Sequence, residues 1–76
     1  MEKVVKFIKK LDRKRREQIY PILFDIYDLN LDHLDIKKLQ GYENRFRVRV
    51  GKIRIIFEKR GKQGIVLEIN TRGDIY

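Results

Sequence analysis

The chain contains no cysteine and only one histidine, His33, among its 76 residues. Without cysteine it can form neither a disulfide nor a thiolate metal site, and a single histidine excludes a His-rich metal cluster. His33 lies among cap and turn formers, so we expect an exposed or half-packed loop residue rather than a proton shuttle. Any catalysis must rely on Arg, Lys, Tyr or carboxylate side chains, and we predict no metal and no other cofactor.

Long apolar runs are also missing. No stretch approaches the roughly 20 residues that span a bilayer, and Lys6, Lys9 and Lys10 interrupt the apolar positions that a signal peptide would need. We therefore expect no membrane partner and a cytoplasmic location. With 76 residues, the chain is expected to be one domain, 1–76, near the lower size limit for a hydrophobic core and without a deep enclosed pocket.

Positive charge, in contrast, is abundant. The formal net charge is +8 and the pI is about 10.0, with net charges of +6 over 1–16, −5 over 17–36 and +7 over 37–76. The basic surface has two sources, the N-terminal helix with its following turn and the C-terminal sheet, and an acidic stretch separates them. This distribution predicts a polyanionic partner that binds one side of the molecule.

The first part of the chain has the periodicity of two helices, which we expect to form a hairpin over about 2–28. The apolar positions of the first helix are Val4, Val5, Ile8 and Leu11. Asp12 is the expected N-cap of the second helix, and Pro21 predicts a bend over 17–21. The second helix is expected to bury Ile19, Ile22, Leu23 and Ile26, with Tyr20 and Phe24 filling around them.

A strict alternation over 45–50 places arginines on one face of a strand and apolar side chains on the other. If Gly51 and Lys52 form a two-residue type II′ turn, then Val50 pairs with Ile53, Val48 with Ile55, and Phe46 with Phe57. Arg49 then lies opposite Arg54. Two like charges in this position destabilise a sheet by about 0.2 to 1 kcal/mol, so we expect an anion to offset the cost.

The last strand continues the same pattern. Its predicted core positions are Ile65, Leu67 and Ile69, which sends Asn70, Arg72 and Tyr76 to the arginine face. Residues 59–64 are expected to form a flexible hairpin loop, and 29–44 the crossover from helices to sheet. The predicted fold is α+β, with the helical hairpin packed on a small antiparallel sheet over about 45–72. A solvated polar sheet face is the alternative to a binding surface.

These motifs together resemble the RelE/ParE superfamily of toxins. The resemblance covers the basic helical hairpin, the approach to the sheet over 35–41, the hairpin over 46–57 and the ending over 69–76. It implies a RelE-like fold and a toxin that is inhibited by a cognate antitoxin. RelE-like members cleave mRNA in the ribosomal A site, whereas ParE-like members inhibit DNA gyrase and generally lack the nuclease residues.

The RelE-like nuclease positions are all filled in this sequence, so the resemblance favours an mRNA interferase. It implies metal-independent transesterification, in which the RNA 2′-hydroxyl attacks the adjacent phosphate. The implied catalytic residues are Arg47, Arg49, Arg54, Arg72 and Tyr76. Arg54 and Arg72 would stabilise the transition-state charge, Tyr76 would stack on a base or orient the 2′-hydroxyl, and Arg47 and Arg49 would position the backbone. The expected substrate-binding residues are Arg45, Lys52, Lys59, Arg60 and Lys62.

Three departures from the family pattern set the alternatives. The general base is not identified, with Lys52, Glu58 or a ribosomal RNA group as candidates. The family's short first strand is missing, so an antitoxin segment or a second copy of the chain is expected to pair with the uncovered sheet edge. The sequence stops at Tyr76, without the extension found in many relatives.

The alternatives are a ParE-like gyrase inhibitor, a truncated inactive toxin that only binds antitoxin or RNA, and a generic basic RNA-binding domain.

Overall fold

The computed structural model describes residues 2–71 of the chain. Two helices, α1 (Glu2–Lys10) and α2 (Arg13–Tyr27), precede four strands. The strands are β1 (Ile36–Lys38), β2 (Arg45–Val50), β3 (Ile53–Arg60) and β4 (Gln63–Thr71). They form one antiparallel sheet in the order β1-β2-β3-β4. The predicted α+β fold is therefore confirmed, while Arg72 and Tyr76 lie outside the described residues.

Helix α2 begins where its cap was expected. Asp12 is extended, with φ −68° and ψ 169°, and its Oδ1 accepts a hydrogen bond of 2.8 Å from the backbone N–H of Arg15. The helix continues through Pro21, which is exposed, and ends at the cap residue Asp28. Leu29 then adopts φ 58°, the left-handed conformation that closes many helices at their C-terminal end. The bend predicted near Pro21 stays a prediction.

The central hairpin has the expected register. Val50 pairs with Ile53, Val48 with Ile55, and Phe46 with Phe57, whose ring is stacked on that of Phe46 with centroids 5.4 Å apart. Gly51 has φ 59°, the positive value that a type II′ turn needs at its first central position. The alternation of the sequence therefore specified both the pairing of β2 with β3 and the face of each residue.

Three features of the sheet differ from the sequence predictions. Residues 36–38, assigned to the crossover, form β1 and pair with β2. The loop expected over 59–64 is a two-residue turn, because β3 extends to Arg60 and β4 starts at Gln63. An irregularity in the pairing at Ile56 and Phe57 shifts the register, so that Phe57 pairs with Val66. Val66 therefore packs on the core in place of Ile65 and Leu67, while Ile69 is buried as expected.

The core lies between the two helices and one face of the sheet. Its buried residues are Val4, Ile8, Ile19, Ile26, Val48, Ile53, Ile55, Phe57 and Ile69. Tyr20 and Phe24, which were expected to fill the core, are exposed instead, with 46% and 69% of their surface accessible. None of the described helices is long and apolar enough to cross a membrane.

Glycine at position 64 permits the close packing of α2 on β4. A Cβ atom at this position would overlap the backbone carbonyl oxygen of Ile26, near the end of α2, and would lie 3.0 Å from the carbonyl carbon. Because backbone atoms cannot move aside as a flexible side chain can, only glycine fits without a shift of the helix. This contact sets how closely the end of α2 approaches β4.

Candidate functional site

The sheet face that neither described helix covers carries the arginines, and we call it the arginine face. It comprises outward residues that alternate with the core residues, namely Arg45, Arg47 and Arg49 of β2, Arg54, Ile56 and Glu58 of β3, and Glu68 and Asn70 of β4. The helices pack against the other face. Basic residues of the two sources nevertheless meet where Arg15 of α2 and Lys52 of the β2–β3 turn line one pocket. The expectation of a polyanion bound to one side stays a prediction. Only the arginine face collects guanidinium groups from neighbouring strands.

Three side chains of the arginine face form a row across the sheet. Arg49 pairs with Arg54, and Arg54 pairs with Asn70 on β4. Arg49 donates a hydrogen bond of 3.1 Å from Nε to Oδ2 of Asp35, just before β1. The backbone N–H of Arg49 also donates to the carbonyl of Asp35 at 2.9 Å. The anion expected to offset the Arg49–Arg54 repulsion is thus supplied in part by the chain itself.

The middle of this row holds two polar atoms that lack partners among residues 2–71. These are Nε of Arg54 and Oδ1 of Asn70, both buried. The amide nitrogen of Asn70 donates instead to Glu68 at 3.0 Å. A buried donor without a partner costs about 1 to 3 kcal/mol, which an incoming acceptor can recover. Arg54 is therefore placed to donate to an anionic oxygen that reaches this row.

Glu58 lies between two arginines near the other end of β3. Its carboxylate accepts a hydrogen bond of 2.6 Å from Nε of Arg60 and one of 3.1 Å from Nε of Arg45. The hydrogen bond from Arg60 contributes most, followed by that from Arg45, and together they lower the pKa of Glu58 below its ordinary value. Arg45 also stacks on Tyr42, with its guanidinium carbon 4.5 Å from the ring centroid. Glu58 is therefore a weak proton acceptor, and Arg45 and Arg60 are already engaged within the chain.

The predicted site residues fall into two groups at opposite ends of the sheet. Arg49, Arg54 and Lys52 share the end where Thr71, the last described residue, pairs with Ile53. The other end holds Arg45, Lys59, Arg60 and Lys62. The six residue steps from Arg54 to Arg60 span about 20 Å of strand. One phosphate therefore cannot contact the two groups at the same time.

Arg47 lies between the two groups, opposite Ile56 on β3 and Lys37 on β1. It is half-buried and has no ion pair in the part of the chain that the structure describes. Successive outward residues of a strand are about 7 Å apart. Arg47 therefore lies about 7 Å along β2 from Arg45 on one side and from Arg49 on the other. It is the guanidinium that can bridge the two ends along an extended polyanion.

Sequence reasoning missed two carboxylates near the catalytic candidates. Glu68 pairs with Ile56 and so shares the arginine face with Asn70, a position that the alternation before Asn70 could have indicated. Asp35 contacts Arg49 only because the chain returns from the helices to β1 beside β2. No local pattern marks that contact. His33 is exposed as expected, and its Nε2 lies 2.7 Å from Oδ2 of Asp25.

Comparisons with known proteins identify the family. Toxin RelE3 of Methanocaldococcus jannaschii is 41% identical to this chain over 64 residues, which cover 84% of the chain and 73% of the relative. The chain belongs to the RelE family of toxins. A solved structure of the RelB-RelE antitoxin-toxin complex from Methanococcus jannaschii contains a chain that matches this RelE toxin with a TM-score of 0.76 and 35% sequence identity. The match covers 95% of the present chain and 87% of that chain.

The RelE assignment agrees with both the fold and the sequence resemblance. No family model matches the chain. The helical hairpin and the antiparallel sheet of this RelE toxin align with the solved structure over nearly the whole chain, so the RelE-like fold is established by structure as well as by sequence.

Proposed function

We propose that this RelE toxin is a ribosome-dependent endoribonuclease that cleaves mRNA in the A site in the cytoplasm. The row Arg49–Arg54–Asn70, with the buried Nε of Arg54, is the observation that carries the proposal. Guanidinium groups offer fixed pairs of donors to phosphate oxygens and stay charged at any physiological pH. An open sheet face suits a long RNA better than a small metabolite, which would need a concave site.

The chemistry we propose is transesterification. The 2′-hydroxyl oxygen attacks the adjacent phosphorus and loses its proton to a base, while the bond from phosphorus to the 5′-oxygen breaks and that oxygen takes up a proton. The products are a 2′,3′-cyclic phosphate and a free 5′-hydroxyl. Arg54 and Arg72 stabilise the negative charge that builds on the phosphate oxygens. Stabilisation of this kind typically raises the rate by roughly 10² to 10³. Arg47 and Arg49 position the backbone, and Tyr76 stacks on a base.

The base must accept a proton near working pH. Glu58 is unsuited because its two arginine partners lower its pKa. Lys52 is exposed in the turn beside Ile53, at the same end of the sheet as Arg54. The proposal therefore leaves Lys52 or a group of the ribosomal RNA to act as the base.

We further propose that a cognate antitoxin inhibits this toxin, as the RelB-RelE complex of the structural relative suggests. A strongly basic protein with a net charge of +8 would bind RNA unselectively if it were left uncovered. An acidic antitoxin segment would neutralise this charge. The antitoxin, the ribosome and mRNA are thus the proposed partners.

The decisive experiment is a cleavage assay on mRNA bound to programmed ribosomes, with EDTA present and naked mRNA as a control. We expect ribosome-dependent cuts with the wild type, and a loss of about 10² to 10³ in rate with Arg72→Ala and with Arg54→Ala. Arg13→Ala is the matched control, because Arg13 lies on α2 and is 88% exposed. It should cleave at the wild-type rate.

Three results would contradict the proposal. Full activity of Arg72→Ala and Arg54→Ala would remove the assigned roles of both arginines. The absence of cleavage by the wild type, together with gyrase-dependent DNA damage, would indicate the ParE-like function instead. Antitoxin binding without either activity would indicate an inactive toxin.

A further inference from the structure

A small basic pocket lies where the first turns of α2 meet the turn between β2 and β3. We call it the helix–turn pocket; it has a volume of about 320 Å³, and its lining residues are Arg15, Gln18, Val50, Gly51, Lys52 and Ile53. Arg15 and Gln18 are three residues apart, which places them on one face of α2. Two of the lining residues are cations and none is a carboxylate. The charge of the pocket therefore favours an anionic ligand.

The carboxylates closest in sequence to Arg15 are already engaged. Oδ1 of Asp12 accepts from the backbone N–H of Arg15 at 2.8 Å, and Glu17 forms an ion pair of 3.2 Å with Arg13. Within residues 2–71, neither the guanidinium of Arg15 nor the ammonium of Lys52 has an ion pair. Like charges that share a pocket repel each other. An anion that binds there removes this repulsion and gains charge-assisted hydrogen bonds from both side chains.

The other lining residues suit a nucleotide. Val50 is half-buried and Ile53 is buried, so together they provide an apolar surface for a ribose or a base. The exposed amide of Gln18 offers both donors and an acceptor to a hydroxyl group or a base edge. Ligand pockets typically have volumes of roughly 300 to 1,000 Å³, and this one lies at the small end of that range. It therefore fits one nucleotide unit of a longer chain.

The helix–turn pocket and the Arg49–Arg54 row share one end of the β2–β3 hairpin. Val50 pairs with Ile53, and the next pair along the hairpin is Arg49 with Arg54. Because successive strand residues rise about 3.3 Å and point to opposite faces, the pocket lies on the helix side of the sheet, directly beyond the row. A Cβ atom added at Gly51 would meet no atom within 4 Å. The turn therefore leaves space for an RNA strand to pass from the row to the pocket.

We propose that the helix–turn pocket is a second phosphate site, which binds the mRNA backbone next to the segment held by the Arg49–Arg54 row. The identity of the polyanion rests on the proposed function. Arg15 and Lys52 donate to the phosphate oxygens, so the basic residues of α2 and of the hairpin share one ligand. A Lys52 ammonium that donates to a phosphate keeps its proton. Of the two candidate bases, the second phosphate site thus leaves the group of the ribosomal RNA.

Affinity for a single-stranded oligoribonucleotide, followed by fluorescence anisotropy over a KCl series, tests the site. We expect Arg15→Ala to weaken binding by about 5-fold at about 0.1 M KCl and to lower the slope of log affinity against log salt by about 0.7, because one phosphate contact is lost. Lys14→Ala is the matched control, since Lys14 is also an exposed cation of α2 but does not line the pocket. Its slope should change less. Gln18→Glu, which brings a carboxylate into the pocket, should weaken binding at least as much as Arg15→Ala.

Ribosomes without mRNA separate the two sources of phosphate, which are mRNA and ribosomal RNA. We expect Arg15→Ala to bind these ribosomes as Lys14→Ala does. Weaker binding to them by Arg15→Ala, with unchanged affinity for the oligoribonucleotide, would overturn the assignment to mRNA. Equal oligoribonucleotide affinities and salt slopes for wild type, Arg15→Ala and Gln18→Glu would overturn the site itself. Cleavage of ribosome-bound mRNA by the wild type tests the proposed function separately, because none of these binding measurements depends on cleavage.

Discussion

At the residue scale, the neighbours of each charged side chain decide what it can do. Arg45, Arg49 and Arg60 each have a carboxylate partner within the chain, whereas Nε of Arg54 is buried without one among the described residues. A paired guanidinium on a solvated surface contributes little to stability and binds a phosphate only in competition with its partner. Arg54 is therefore the described arginine that we expect to gain most from substrate.

Glu58 provides the pH-dependent prediction. Its pKa is lowered in the folded state by Arg60 and Arg45, so the unfolded chain binds more protons than the folded chain near the ordinary carboxyl pKa. This contribution to stability is complete above the unfolded pKa, about 4.3, and is lost as the pH falls through the lower folded value. We expect Glu58→Gln to reduce the loss of thermal stability between neutral and acidic pH.

Melting temperatures followed by circular dichroism over this pH range measure the effect. Glu43→Gln is the control, since Glu43 is exposed and has no ion pair in the described part of the chain. An unchanged acid response in Glu58→Gln would mean that the arginines do not stabilise the ionised carboxylate.

At the element scale, backbone contacts rather than side-chain patterns set how helices and strands meet. Gly64 allows β4 to approach the carbonyl of Ile26, and Gly51 allows the tight turn between β2 and β3. We expect Gly64→Ala to lower the free energy of unfolding by about 1 to 3 kcal/mol through overpacking. Gly51→Ala, where no atom lies within 4 Å of the added Cβ, should cost about 1 kcal/mol from its positive φ. Urea unfolding of both variants measures these losses. A larger loss of stability in Gly51→Ala than in Gly64→Ala would contradict the close contact of Gly64 with Ile26.

The cap of α2 gives a second prediction at this scale. Asp12 accepts from the N–H of Arg15 at 2.8 Å at the start of α2, whose first turn contains no acidic residue. We expect Asp12→Ala to destabilise the fold by about 1 kcal/mol, because a backbone donor loses its partner. Asp12→Asn preserves an acceptor and should recover most of the stability. Equal loss in both variants would indicate that the charge, not the hydrogen bond, is what stabilises this helix end.

At the scale of the whole molecule, basic residues lie on both sides of the sheet. The lysines of α1 lie on the helical side and the arginine row on the other. We expect that replacing Arg47 and Arg49 by alanine lowers the slope of log affinity against log salt for single-stranded RNA by about 0.7 per lost phosphate contact. Replacing Lys6 and Lys9 should change it less. Fluorescence anisotropy over a KCl series tests this, and equal effects would show that RNA contacts both sides.

The sequence by itself determined the elements whose patterns are local. Alternation over 45–50, the glycine at 51 and the apolar residues of β3 specified the hairpin register and hence the Arg49–Arg54 pair. Helical spacing and the cap at Asp12 located both helices to within about two residues. These features follow from neighbouring residues, so no knowledge of distant contacts was needed.

Only the tertiary structure decided how those elements combine. The register shift in β4 replaced Leu67 by Val66 in the core, because pairing with β3 and not the local alternation sets the face of each residue. The contact of Asp35 with Arg49 and the apolar groove between the two helices and β4 depend on residues far apart in the chain. Local sequence sets which residues can share a face, whereas long-range packing sets which faces are covered and which remain open to a partner.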